Sequence, residues 1–186
     1  QEQDRRRRAD HLHPCRGCSA HTRILAVVST LVSIVVPVFN GMPHLRELTD
    51  SLLAQTHTDL EIVFSEGGST DDSPAFLASL TDPRVRIIHQ DGSGAAGNWT
   101  TATEAARAGF IKLVCQDDLL AVDAIERQLA DLEQHPDAVM AIGQRDIVDA
   151  KGDVLYARRG LAGIKERKIS GSNLIRTCYL QGTNVI

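Results

Sequence analysis

No stretch of this sequence is apolar for long enough to cross a bilayer comfortably. The most apolar run, Ile24 to Phe39, is broken by Ser29, Thr30, Ser33 and Pro37. No small-residue cleavage pattern follows it, so a signal peptide is a poor fit. There is no surplus of positive charge. A net charge of -4 gives no electrostatic case for nucleic acid as a partner. Cysteine is sparse, at Cys15, Cys18, Cys115 and Cys178. Cys115 falls in an expected core strand, which excludes a secreted disulfide framework and favours a reducing cytoplasm. Two phosphate-binding loops are also missing. The turn after the first expected strand reads Phe39-Asn-Gly-Met-Pro43, which cannot make the G-x-G-x-x-G turn of dinucleotide folds, and no Walker-type loop occurs. There is no internal repeat.

What remains is ordinary for one globular domain: 186 residues, 42% apolar and 24% charged. Residues 1–31 have tail-like composition, with an arginine run from Arg5 to Arg8, and are expected to form a disordered or non-native leader. His11, His13, Cys15, Cys18 and His21 crowd this leader. A lone C-x-x-C lacks the second half of a zinc finger, and a solvated leader is the favoured reading. The chain opens on Gln1, has its first methionine at Met42 and stops at Asn184-Val-Ile186. Both ends look cut, so a fragment is expected.

From residue 32 onward, strand and helix signals alternate. Val32 to Phe39 is β-branched and apolar and predicts a central strand. Leu45, Leu48, Leu52 and Leu53 recur at helical spacing after Pro43, predicting a helix to about Gln55. Leu60 to Ser65 predicts a second strand, Ser73-Pro74 the cap of a helix to about Leu80, and Val85 to His89 a third strand. After the glycine-rich loop Asp91 to Gly97, Asn98 is expected to cap a further helix. Phe110 to Cys115 predicts a fourth strand, Val122 to Gln134 a helix and Ala138 to Ile142 another strand. Asp149-Ala-Lys-Gly152 predicts a hairpin turn between residues 146–149 and 154–156, and a short helix is expected near Ser172 to Tyr179. This alternation predicts an α/β fold: a Rossmann-like, mostly parallel sheet with helices on both faces.

In such a sheet, ligands bind beyond the C-terminal strand ends, and the unusual residues collect there. Asp117 and Asp118, in Cys115-Gln-Asp-Asp118, form an adjacent pair whose repulsion a divalent cation relieves; hard oxygen ligands suit Mg or Mn. The competing reading is a turn at Asp117 with Asp118 capping the next helix. Phe39 can stack on a flat base while backbone near Val38 reads the base edge, or it can be core. Glu66 can accept hydrogen bonds from a ribose hydroxyl or a base N–H. Gly67-Gly68 allows close backbone approach to a ligand, or simply an ordinary turn. Asp91-Gly-Ser-Gly94 can cover a diphosphate, although glycine loops alone are weak signals.

Three ordered segments, Val32-Ser-Ile-Val-Val-Pro-Val-Phe-Asn-Gly41, Glu61-Ile-Val-Phe-Ser-Glu-Gly-Gly-Ser-Thr-Asp-Asp72 and Leu113-Val-Cys-Gln-Asp-Asp-Leu-Leu120, together resemble family 2 glycosyltransferases of the GT-A fold over about residues 32–186. The resemblance implies an inverting, metal-dependent transfer of sugar from a nucleotide-sugar donor to an acceptor hydroxyl. It implies donor contacts at Pro37, Val38, Phe39, Asn40, Glu66, Asn98 and Asp117, and Mg or Mn at Asp117 and Asp118. A UDP-sugar is the favoured donor and a glycan or lipid-linked molecule the acceptor, as in polysaccharide biosynthesis. The expected location is the cytoplasm, with peripheral association of the full-length protein at the inner membrane face. Two departures stand out: Glu66 replaces the family's usual Asp, and Cys115 stands where many members carry the first acid of Asp-x-Asp. No residue before Ile186 suits the catalytic base, which the resemblance places beyond it. Residues 1–186 are therefore expected to bind donor without transferring sugar. The alternatives are a nucleotidyltransferase, whose basic glycine-rich loop is missing, and a non-catalytic nucleotide-binding module.

Overall fold

The computed structural model describes residues 31–159 except Asp91 and Ser93, and nothing is described of the side chains of Arg158 and Arg159. The expected leader, the His/Cys group at 11–21, the helix near 172–179 and the segment after Gly182 lie outside the described residues.

Four parallel strands form the sheet: β1 (Val32–Val38), β2 (Leu60–Glu66), β3 (Val85–His89) and β4 (Phe110–Leu113), in the order β3-β2-β1-β4. β1 is apolar on both sides and every residue of it is buried, as a central parallel strand requires. Its even-numbered residues Ile34, Val36 and Val38 join Ile62 and Phe64 in packing against one layer of helices. That layer is α1 (His44–Leu53), α2 (Ser73–Ala78) and α4 (Ala124–Gln134), which contribute Leu45, Leu48, Leu52, Leu77, Ile125 and Leu129. On the opposite face Val35 and Val63 pack against Ala102 of α3 (Gly94–Glu104). Helices therefore cover both faces, as the strand–helix alternation predicts.

A polar group closes the lower end of the α3 face. The Ser33 hydroxyl donates to Glu61 (2.5 Å), and the Arg107 and Ala108 N–H groups donate to Glu61 (2.5 Å) and to the Ser33 hydroxyl (3.0 Å). Arg86 adds an ion pair to Glu61 and a short bond to the Ala105 carbonyl. These bonds hold the Glu61 carboxyl below its usual pKa against the upward push of burial.

The hairpin is present as β5 (Arg145–Val148) and β6 (Val154–Arg159), a separate antiparallel pair. Asp149 closes its turn by accepting the Lys151 and Asp153 N–H groups at 2.8 and 3.0 Å, and Gly152 supplies the positive φ of 84°. The strand expected at Ala138 to Ile142 does not form. Among the described residues they have no partner strand, and Val139 is 99% exposed. An apolar run makes a strand only where a neighbour can pair with its backbone.

Candidate functional site

The chain leaves β1 toward β2 and β3, then returns on the other side as β4. The switch point therefore lies between the ends of β1 and β4, where a doubly wound sheet opens a crevice. Local chemistry explains why it opens here. The β1–β4 ladder stops at Val35 opposite Leu113, with the Val35 carbonyl accepting the Val114 N–H at 3.1 Å. Backbone direction alternates along a strand, so Pro37 and Phe39 face the same side as Val35. Pro37 has no N–H to leave unpaired there.

Beyond this point three loops are laced together. Asn40 takes a left-handed φ of 52°, and its carboxamide oxygen accepts the Thr70 N–H (2.8 Å) while its own N–H donates to Ser69 Oγ (2.9 Å). The Gly41 N–H donates to Ser73 Oγ (3.0 Å) and the Met42 N–H to Asp71 Oδ2 (3.0 Å). Ser73 therefore does not cap α2 with its side chain, contrary to expectation; its hydroxyl belongs to the β1–α1 turn. Burial raises the Asp71 pKa, but bonds from the Ser73 hydroxyl, the Ser73 N–H (2.9 Å) and the Met42 N–H outweigh it and leave the carboxyl below its usual range.

Glu66, at the end of β2, is only 5% exposed. Burial raises its pKa, but bonds from the Ser69 N–H and hydroxyl, the Gly68 N–H and His89 outweigh that and leave it lowered. The Ser69 N–H lies 2.6 Å from Oε1 and His89 Nδ1 lies 3.7 Å from Oε2. A direct bond from Glu66 to a nucleoside would have to share these acceptors. The approach that glycine permits at Gly67 is to the protein itself: a Cβ there would lie 2.7 Å from Asn98 Nδ2. Asn98 is not a helix cap. It lies inside α3, 4% exposed, donating to the Val38 carbonyl (2.9 Å) and accepting from Gln90 Nε2 (2.6 Å). Since the Gly67 N–H also reaches the Val38 carbonyl (2.9 Å), that carbonyl is committed within the fold and does not present a free acceptor to a base edge. Asp91 lies outside the described residues.

Phe39 is not core; its side chain stands at the surface, with 56% of the residue exposed. Asp117 and Asp118 are exposed in the turn that follows β4, with the Asp118 N–H donating to the Cys115 carbonyl (3.1 Å). Their mutual repulsion is thus eased by water and does not demand a cation for folding. Cys115 lies past the end of β4 and is only half-buried, so it is not a core-strand residue as expected. Burial, then the Asp118 and Asp117 carboxylates, push its thiol up to about 11, so the free thiol stays protonated at neutral pH. On β4, burial lowers the Lys112 pKa while Asp118 opposes the shift.

Sequence reasoning passed over two glutamines that hold this turn. Gln116 Oε1 accepts the Phe39 N–H at 2.7 Å, and its Nε2 donates to the Phe39 carbonyl at 3.0 Å. On the downstream side, buried Gln55 donates to the Ala121 carbonyl (2.8 Å) and accepts the Ile125 N–H (3.3 Å). Ser51 Oγ accepts the Leu120 N–H (3.2 Å), and the Thr56 N–H reaches the Val122 carbonyl (2.9 Å). A polar residue between conspicuous ones carries no periodic signal, so only the fold exposes these roles.

Among the described residues no three His, Cys, Asp or Glu side chains converge as a closed metal site. Two exposed adjacent carboxylates do fit Mg or Mn, ions that commonly take one or two protein carboxylates and complete their shell with phosphate oxygens and water. Among the described residues no helix is long and apolar enough to cross a membrane.

The model of the family described as Glycosyl transferase family 2 matches residues 33–184. The uncharacterized glycosyltransferase EpsJ of Bacillus subtilis is 35% identical over 115 residues, which cover 61% of this chain and 33% of that protein. Glycosyltransferase GlyG of Streptococcus pneumoniae is 35% identical over 121 residues, covering 62% and 39%. Among solved structures, S. aureus TarS 1-349 shares the fold with a TM-score of 0.53 at 23% identity, covering 56% of this chain and 33% of that one. Its complex with UDP-GlcNAc matches with a TM-score of 0.51 at 21% identity, covering 56% and 32%. The chain spans about a third of the length of these relatives.

Proposed function

Because the chain belongs to glycosyl transferase family 2, we propose that its switch-point crevice binds a nucleotide-sugar, from which the full-length protein transfers the sugar to an acceptor hydroxyl with inversion. One observation carries this reading. Exposed Phe39, just past β1, is tied by the Gln116–Phe39 bonds to the turn that carries the exposed Asp117–Asp118 pair. That pairing suits a molecule with a flat base at one end and a diphosphate at the other.

In this reading Phe39 provides the stacking face for the base. Pro37, Val38 and Asn40 shape the β1 side, Asn98 fixes Val38, and Glu66 orders the loop beside the nucleoside. Direct contact of Glu66 with the nucleoside requires it to exchange one of its loop bonds. Asp117 and Asp118 hold Mg or Mn. When bound, that ion supplies positive charge to stabilise the departing diphosphate. The acceptor oxygen attacks the anomeric carbon as the bond to the diphosphate breaks, and a general base takes the hydroxyl proton. In this reading Glu66, Asp117 and Asp118 stand on the nucleotide side, and none of them is assigned the base. UDP-sugars are the donors of first choice, the class bound by TarS in its UDP-GlcNAc complex. A glycan or lipid-linked acceptor at the cytoplasmic membrane face completes the proposal.

Calorimetric titration of the full-length protein with UDP and GDP, with Mn and then with EDTA, tests the site. Binding that requires Mn and falls at least tenfold in Asp117→Asn is expected. Equal affinity with Mn and EDTA would remove the metal from this site.

A further inference from the structure

Gln116 lies between the half-buried Cys115 and the carboxylate pair, and it makes a bond pattern that neither neighbour can. Its carboxamide accepts the Phe39 N–H and donates to the Phe39 carbonyl, a cyclic pair of hydrogen bonds at 2.7 and 3.0 Å. These are the groups that a strand residue would offer. β4 has ended at Leu113, so the side of β1 that Phe39 faces has lost its ladder partner. We propose that Gln116 is a positioning residue of the donor site: its carboxamide stands in for the missing β4 residue and locks the Phe39 platform in register with the Asp117–Asp118 turn.

Three features of the fold fit this role. Pro37, on the same side of β1, has no N–H that needs a partner, so the substitution of side chain for strand begins where it is first required. Gly41 leaves room for the carboxamide, since a Cβ there would sit 3.1 Å from Gln116 Oε1. The segment beyond Asp118 is strapped to α1 through Ser51 and Gln55, so the turn is held from both sides. With the turn fixed downstream, Gln116 fixes the Phe39 backbone, and so the base platform, against it. The chemistry is specific. Asn is one methylene shorter, ionised Glu lacks the donor, and Met fills the space without either bond.

The inference rests on the donor-site reading above, and the experiment separates the two. UDP, GDP, uridine and guanosine are titrated into the full-length protein in the presence of Mn, for wild type, Gln116→Met, Gln116→Asn, Phe39→Ala, Asp117→Asn and the double variant Gln116→Met/Phe39→Ala. In Gln116→Met the preferred diphosphate and its nucleoside are expected to weaken by the same factor, about tenfold for the loss of two ordinary hydrogen bonds. Gln116→Asn should lose as much, and the unfolding midpoint should hold. The double variant should bind no more weakly than Phe39→Ala, because Gln116 acts through Phe39. Wild-type affinity in Gln116→Met, losses that multiply in the double variant, or a loss that follows a lowered unfolding midpoint would each overturn the positioning role. If Phe39→Ala and Asp117→Asn weaken binding while Gln116→Met does not, only this inference falls. If the wild type binds no diphosphate, or neither of those two variants weakens binding, the donor site falls and Gln116 with it.

Discussion

Glu66 ends β2 with its carboxylate on its own loop, bonded by Ser69 and Gly68 and close to His89. Burial alone would raise its pKa, and the hydrogen bonds reverse the sign. A carboxyl whose pKa is lower in the folded state binds protons more readily when unfolded. Its stabilisation is therefore present above the ordinary value of 4.5 and is lost as pH falls through the lowered folded value. Urea unfolding between pH 6 and about 3 should show wild-type stability dropping more steeply below pH 4.5 than that of Glu66→Gln. Parallel pH profiles would mean that the loop bonds do not favour the charged form. The type of residue needed at this point is legible in the sequence, since a carboxylate at a strand end beside two glycines marks an organised turn. The approach of His89 is not, because it reaches Glu66 from the end of β3, whereas Ser69 lies three residues on in the same loop.

At the scale of elements, Gln55 does more than follow α1. It is 4% exposed and joins the end of α1 to the start of α4 through Ala121 and Ile125. Gln55→Leu keeps most of the volume but leaves a buried carbonyl and N–H unpaired, a cost of about 2 kcal/mol. Chemical denaturation of the full-length protein should show that loss, with affinity for nucleoside diphosphate reduced because the strap behind Asp118 is slackened. A variant as stable as wild type would show that water replaces the glutamine. The α1 helix and the first two strands were readable because their periodicities are long and clean: Leu45, Leu48 and Leu52 all point into the core, and β1 is unbroken apolar residues. Ala138 to Ile142 looked just as apolar and is no strand. Periodicity reports what a segment can bury, whereas a strand also needs a partner, and no neighbouring sequence announces one.

The whole molecule has a graded architecture, with a sheet covered on both faces and a hairpin apart from it. β1 is paired on both sides through Val35 and wholly buried, while all four residues of β5 are exposed. Hydrogen exchange on the full-length protein should therefore find the slowest amides in β1 and β2, and much faster exchange in β5 and β6. Equal protection in the hairpin would mean that another part of the protein covers it. Residues close together along the chain set the α/β class, the order of the strands and helices from β1 to α4, the hairpin turn and the adjacent carboxylates, so these are legible without the fold. Tertiary structure alone decided which residues are free to meet a ligand. It exposed Phe39, buried Asn98, committed the Val38 carbonyl and turned Glu66 onto its loop. It also brought Gln116 against a backbone 77 residues away. Hydrogen-bond commitment is set by neighbours in space, and those neighbours are assigned only when the sheet order β3-β2-β1-β4 sets the ends of β1 and β4 beside each other.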